Sequence, residues 1–256
     1  MQLPERVRIV EVGPRDGLQN EAQVVPTAVK VEFIDRLAAT GVGVVEATSF
    51  VRPDRIPQLA DAREVMAGVD RRPGVTYAAL VPNLRGLEGA LEAEIDEVAV
   101  FTAASEQFAQ ANLGRSIAES LEMFAPVVAR AAESGVRCRG YVSTVLGCPF
   151  QGHVPPEDVL RVAASLFELG VDEVSLGDTI GVGTVGGVHD LLAVLTREIA
   201  IDRLAVHMHD TFGQGLANTL AAFEAGVTVA DTSAGGLGGC PYAPGANGNL
   251  ATEDLV

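Results

Sequence analysis

A single-domain α/β chain closed as a (β/α)8 TIM barrel is the fold class that the sequence predicts, and three observations predict it. Short runs rich in Val and other β-formers alternate with longer amphipathic stretches, eight times along the chain. A length of 256 residues suits one such unit, so residues 1–256 are read as one catalytic domain. Ionisable residues gather at the C-terminal ends of the strand-like runs, where a barrel of this class carries its chemistry, and the N-terminal ends hold nothing comparable.

In chain order the runs are RVRIVEVG from Arg6, VGVVEATS from Val42, TYAALVPN from Thr76 and DEVAVFTA from Asp96. They continue as RCRGYVST from Arg137, DEVSLGDT from Asp172, LAVHMHD from Leu204 and TVADTSAGG from Thr228. Between them lie amphipathic stretches such as TAVKVEFIDRLAATG, SIAESLEMFAPVVARAAESG, PEDVLRVAASLFELG and GLANTLAAFEAG. Each closes on glycine, the usual helix stop. The short Gly-rich stretch TSAGGLGGCPYAPGANGN is read as a functional loop. The eighth helix is expected to begin near ATEDLV, where the sequence stops, so the C-terminal helix region is expected to be incomplete.

Composition narrows the function. Hydrophobic residues make up 48%, mean hydropathy is +0.25, and no apolar run reaches the 18 residues of a membrane span. The N-terminus lacks the pattern of a secretion or transit signal, so a cytoplasmic location is expected. A net charge of −16 argues against nucleic acid and anionic membrane surfaces as partners. Three cysteines without CxxC spacing argue against a disulfide scaffold or a structural zinc site.

The polar residues at the strand ends define a candidate site. The first run ends in Arg15 and Asp16, the second in Glu46, Thr48 and Ser49, and the sixth in Ser175, Asp178 and Thr179. The fifth carries Arg139, Tyr141 and Ser143, and the seventh His207, His209 and Asp210. The last loop brings Cys240 and Asn249, with Glu253 opening the next helix. In an extended segment alternate side chains share a face, so His207 and His209 point one way and Met208 the other. Asp16 with these two imidazoles, and a carbonyl oxygen from Asn249, makes a mixed oxygen and nitrogen set that suits Mg2+, Mn2+ or Co2+. A two-His-one-carboxylate iron oxygenase shares that ligand set. A lone histidine is more simply a satisfied structural residue, and a same-face pair at a barrel mouth favours the metal. His153 and His189 read as surface residues.

Five segments together resemble the hydroxymethylglutaryl-CoA lyase family of metal-dependent barrel lyases. They are VEVGPRDGLQNE, VVEATSFV, SLGDTIGVGT, HMHDTFGQGLANTL and GLGGCPYAPGANGNLATEDLV, and they span the whole chain. RDG alone is weak; RDGLQNE with the cysteine-bearing loop is narrow. The resemblance implies Asp16, His207, His209 and Asn249 as ligands of a divalent cation, Mg2+ or Mn2+. It implies Arg15 and Cys240 as catalytic and associates Glu46, Asp178 and Glu253 with the same site.

The implied reaction is retro-Claisen cleavage of 3-hydroxy-3-methylglutaryl-CoA to acetyl-CoA and acetoacetate, as in leucine degradation, by a homodimer. The C3 hydroxyl must lose a proton; Asp178 is the first candidate base and His207 the second. Arg15 stabilises the developing enolate oxygen, and Cys240 supplies the proton that ends the reaction. Glu46 either acts directly or fixes Arg15 by an ion pair, Asp178 has the alternative of capping its turn, and Asp210 orients its neighbours. The competing readings are a lyase for another branched 3-hydroxyacyl-CoA, a Claisen-type synthase and an inactive barrel.

Overall fold

The computed structural model describes residues 3–239 and 248–256. Eight parallel strands close into a barrel in sequence order: β1 Arg8–Glu11, β2 Val44–Ser49, β3 Thr76–Leu80, β4 Glu97–Ala103, β5 Arg137–Ser143, β6 Glu173–Asp178, β7 Leu204–Met208 and β8 Val229–Thr232. The ring is completed where β1 pairs with β8, Arg8 to Val229 through Glu11 to Thr232. Each strand-like run of the sequence contributes one strand, as expected.

The outer layer consists of α1 Thr27–Ala39, α2 Ala62–Gly68, α3 Leu84–Glu92, α4 Glu106–Leu113, α5 Ile117–Glu133, α6 Pro156–Leu169, α7 Val185–Leu195, α8 Gly215–Glu224 and α9 Thr252–Leu255. Local chemistry sets many of their ends. Ser116 accepts from the Glu119 N–H while the Glu119 side chain accepts from the Ser116 N–H, a reciprocal cap that starts α5. Helix α6 stops at Gly170, whose φ of 105° is left-handed and costs glycine little. Between β4 and α5 the chain inserts α4, capped by Ser105, an element beyond the eightfold alternation. The last helix, α9, starts at Thr252 within ATEDLV, the stretch in which a helix start was expected.

Alternation along the strands separates two environments. Outward residues such as Val98, Val142, Leu176, Val206 and Met208 join helix residues Ile34, Phe124, Leu166 and Leu191 in one large core. Inward, a small cluster of Val10, Val44, Ala78, Ala205 and Val229 fills one level of the barrel. The other inward positions carry polar and charged groups, and those at the strand ends form the site described below.

Leu166 is fully buried on α6 and lies so close to β5 that a Cβ added at Gly140 would meet its Cδ1 at 3.0 Å. Leu166→Ala leaves a void that this tight packing closes poorly, so a loss of roughly 2–5 kcal/mol is expected in urea unfolding. A loss under about 1 kcal/mol would show that the helix layer relaxes around the site.

Candidate metal centre and active site

The end of β1 does not run into a loop. It turns through one π-helical turn, Gly13–Gly17, in which the N–H groups of Arg15, Asp16 and Gly17 all converge on the Val12 carbonyl at 3.1, 2.8 and 3.1 Å. That turn throws Arg15 and Asp16 over the barrel mouth. A Cβ at Gly17 would meet Leu237 Cβ and Ser233 Oγ at 2.9 Å, so the turn passes too close to the Gly-rich segment for any larger residue.

Arg15 is buried and fully committed on two of its nitrogens. Its Nε donates to Glu46 Oε2 at 2.6 Å and its Nη1 to Asp16 Oδ1 at 2.5 Å. Burial opposes ionisation of Asp16, but Arg15, His207 and Asn249 together hold its carboxyl below the usual range. Glu46 is pushed the other way, because its burial outweighs the pull of Arg15. Its Oε1 is buried without a hydrogen-bond partner among the described residues.

His207 is inward on β7 and His209 lies one residue beyond the strand, their rings 5.4 Å apart; Met208 between them belongs to the outer core. His209 pairs with Asn249 in an isolated antiparallel bridge, which draws the far end of the Gly-rich segment to the mouth. Asn249 Nδ2 donates to Asp16 Oδ2 at 2.9 Å and to the Leu237 carbonyl at 3.0 Å. Asp16, His207 and His209 each offer a ligand atom, and these atoms all lie within 4.8 Å of one another. Two buried atoms beside them, His209 Nδ1 and Asn249 Oδ1, have no hydrogen-bond partner among the described residues. Burial and the neighbouring His207 push His209 down to about 4, so it stands as a neutral imidazole at neutral pH. Against its burial, Asp231 and Asp16 hold the His207 imidazole above its ordinary range. Two imidazoles, an ionised carboxylate and an amide oxygen are donors that fit a divalent cation.

The mouth opens into a cavity of about 920 Å3. Arg15, Asp16, His207 and His209 form a polar part of its lining, and Leu80 and Phe101 contribute apolar surface.

Three of the sequence-derived residues are placed elsewhere or do other work. Asp178 was expected as a base at the mouth, and the structure corrects this. Gly177 is paired with His207 and Asp178 with Met208, so Asp178 falls on the outward face with Leu176. Its Oδ2 accepts the Gly183 N–H at 2.9 Å, capping the turn into α7. Asp210, expected to orient its neighbours, accepts the Gly215 N–H at 2.7 Å and so fixes the start of α8. Glu253 holds the Gly235 N–H with both oxygens, at 3.0 and 2.8 Å, and thereby one stem of the Gly-rich segment. Cys240 lies outside the described residues.

Two buried carboxylates that the sequence analysis did not single out complete the architecture. Glu11 accepts the N–H groups of Gly13 (2.8 Å) and Ala234 (2.9 Å) and the Thr252 hydroxyl (2.6 Å), tying the β1 turn to both sides of the Gly-rich segment. Asp231, on β8, faces His207 Nδ1 at 3.1 Å. The signal for Asp231 was its parity with Val229 on a short buried strand, which places an acid inside the barrel.

A family model described as HMGL-like matches residues 6–256. The chain is 55% identical over 256 residues to a Pseudomonas aeruginosa protein named 3-hydroxy-3-isohexenylglutaryl-CoA/hydroxy-methylglutaryl-CoA lyase, covering 100% of this chain and 85% of that one. It is 54% identical over 253 residues to the mitochondrial hydroxymethylglutaryl-CoA lyase of Bos taurus, covering 99% and 78%. The crystal structure of hydroxymethylglutaryl-CoA lyase from Pseudomonas aeruginosa superposes with a TM-score of 0.97 at 55% identity, over 100% of this chain and 85% of that one.

Asp178 gives the turn beside the site a pH signature. Burial pushes its carboxyl up to about 6, against the lowering effect of the Gly181–Gly183 backbone N–H groups. The folded chain therefore keeps this proton to higher pH than the unfolded chain, whose aspartates titrate near ~3.9. The stabilising contribution is full below that value and is lost as pH rises through about 6. Asp178→Asn keeps an acceptor for Gly183 and removes the charge, so its melting temperature relative to the parent should climb between pH 4 and 7. A difference that stays flat across that range would overturn the placement of a buried, turn-capping carboxylate.

Proposed function

Because the chain belongs to the HMGL-like family, we propose that its barrel mouth cleaves 3-hydroxy-3-methylglutaryl-CoA into acetyl-CoA and acetoacetate, with Mg2+ or Mn2+ as the divalent cation. The observation that carries the site reading is the convergence of Asp16, His207 and His209 beside the Glu46-paired Arg15 at one end of the cavity. The reading extends to a cytoplasmic location and a homodimeric assembly; among the described residues no helix is long and apolar enough to cross a membrane.

Asp16, His207, His209 and Asn249 would hold the cation, Asn249 through the Oδ1 that has no hydrogen-bond partner among the described residues. When bound, it acidifies the C3 hydroxyl and polarises a second substrate oxygen. The electron pair of the C2–C3 bond passes into the thioester enolate as C3 becomes the ketone of acetoacetate. The hydroxyl proton leaves toward the Asp16 carboxylate, which keeps one oxygen beyond the one offered to the cation. His207 Nε2 would be taken by the cation and its Nδ1 faces Asp231, and Asp178 lies on the outward face.

Arg15 gives its Nε hydrogen to Glu46 and one Nη1 hydrogen to Asp16, which leaves the Nη2 hydrogens and the second on Nη1 for the enolate oxygen. Glu46 acts by holding that guanidinium in place: it is 1% exposed and presents no face to the cavity. The ring of Tyr141 lies 5.5 Å beneath the Arg15 guanidinium and steadies it from below. Protonation of C2 is assigned to Cys240, a thiol whose ordinary pKa of ~8.5 keeps it mostly protonated at neutral pH.

Acetoacetate release from 3-hydroxy-3-methylglutaryl-CoA is the decisive assay. Release is expected with Mg2+ or Mn2+, should stop with EDTA, and should be abolished by His209→Ala. Arg15→Gln should lower kcat by about 10²–10³ with the cation still bound. Cation-independent release would sink the mechanism, and bound cation without release would count against this substrate.

A further inference from the structure

Beneath the mouth, the barrel interior holds a set of paired charges that no step of the reaction uses. Strand parity puts Arg139 and Tyr141 of β5, Glu173 and Ser175 of β6, and Asp231 of β8 on the inward face. Arg139 is 2% exposed and Asp231 also 2%. Burying such ions costs several kcal/mol each before pairing, and apolar side chains of similar volume would often serve stability as well. Charges kept there invite a reason other than stability.

The hydrogen bonds give one. Arg139 directs donors at three strands: Nε to Glu173 Oε1 at 2.8 Å, Nη1 to the Tyr141 hydroxyl at 3.0 Å, and Nη2 to Asp231 Oδ1 at 2.7 Å. A planar fork held at three points cannot rotate, so it fixes the plane of the Asp231 carboxylate. The other oxygen, Oδ2, accepts from Ser175 Oγ at 2.8 Å and faces His207 Nδ1 at 3.1 Å. An ionised carboxylate only accepts, so the proton between them sits on Nδ1 of the imidazole. Whenever the ring is neutral its lone pair is then on Nε2, the nitrogen on the side of Asp16. Tyr141 closes the arrangement by meeting the His207 ring edge-on, with centroids 6.1 Å apart and an interplanar angle of 85°.

We propose that Asp231, locked by Arg139, is a positioning residue that holds His207 in the tautomer with Nε2 free to bind the divalent cation. Among the described residues His209 has no such carboxylate: its buried Nδ1 has no hydrogen-bond partner there. The two histidines are thus unequal, one pre-oriented from within the barrel and the other placed by its backbone bridge to Asn249. The proposal rests on the cation reading of the mouth and is independent of which acyl-CoA is cleaved.

Two measurements test it, neither of them activity. In the metal-free parent protein carrying 15N-labelled histidine, at a pH high enough for the ring to be neutral, the His207 resonances should show a protonated Nδ1 and an unprotonated Nε2. In Asp231→Asn this preference should be lost, and Mn2+ titration followed by electron paramagnetic resonance should show roughly 10–100-fold weaker binding, the range typical when such a partner is removed. Ser175→Ala, which keeps the Asp231 charge and its bond to Arg139, should retain the tautomer and is the control for simple loosening of the interior.

A parent His207 protonated on Nε2 would overturn the proposal, and this reading needs no variant, so it holds even if Asp231→Asn fails to fold. A folded Asp231→Asn protein that binds Mn2+ within twofold of the parent would overturn it as well. Failure of the parent to bind Mn2+ would remove the cation reading and the proposal together. Mn2+ binding without acetoacetate release would count against the lyase reading alone.

Discussion

Closing eight parallel strands into a ring leaves each strand a single inward face, and whatever charge is placed there must find its partner inside the ring. In this protein that constraint organises the interior around the small apolar cluster of Val10, Val44, Ala78, Ala205 and Val229. Arg8 and Arg139 share Glu173, Arg139 also reaches Asp231, Asp231 faces His207, and His207 and Arg15 both adjoin Asp16. The pairing runs without a break from the N-terminal end of the barrel to its mouth. In a low-dielectric interior each link strengthens its neighbours and makes an unpaired member costly, so the site at the top inherits its geometry from the pairs below.

The mouth is then finished by backbone. The π-turn after β1 brings Arg15 and Asp16 over the ring, and the bridge between His209 and Asn249 draws in the last donor. Glu11 and Glu253 tie both sides of the Gly-rich segment to the barrel rim through backbone N–H groups and the Thr252 hydroxyl. Rigid placement beneath, with the described ends of the glycine-rich segment tied to the rim, is an arrangement suited to a reaction that must orient its substrate.

Much of this was legible in the sequence because it follows from periodicity. Eight β-rich runs gave eight strands, and the spacing of His207, Met208 and His209 was enough to send the two imidazoles inward and the thioether outward. The same rule, applied to Asp178, would have placed it with Leu176 on the outer face; nearness to a strand end was weighed above parity, and the carboxylate proved to cap the turn to α7. The partners of Asp210 and Glu253 are backbone N–H groups, which no side-chain pattern announces.

The amino-acid order by itself therefore determined the barrel, the end of it that carries chemistry, and the residue types gathered there, since strand alternation and helix stops are local properties. The tertiary structure decided who pairs with whom. Arg139 and Asp231 stand 92 positions apart, and Glu11 reaches Thr252 across 241. Such contacts exist only once the ring has closed, because closure alone brings β8 beside β1 and turns separate inward charges into one connected network.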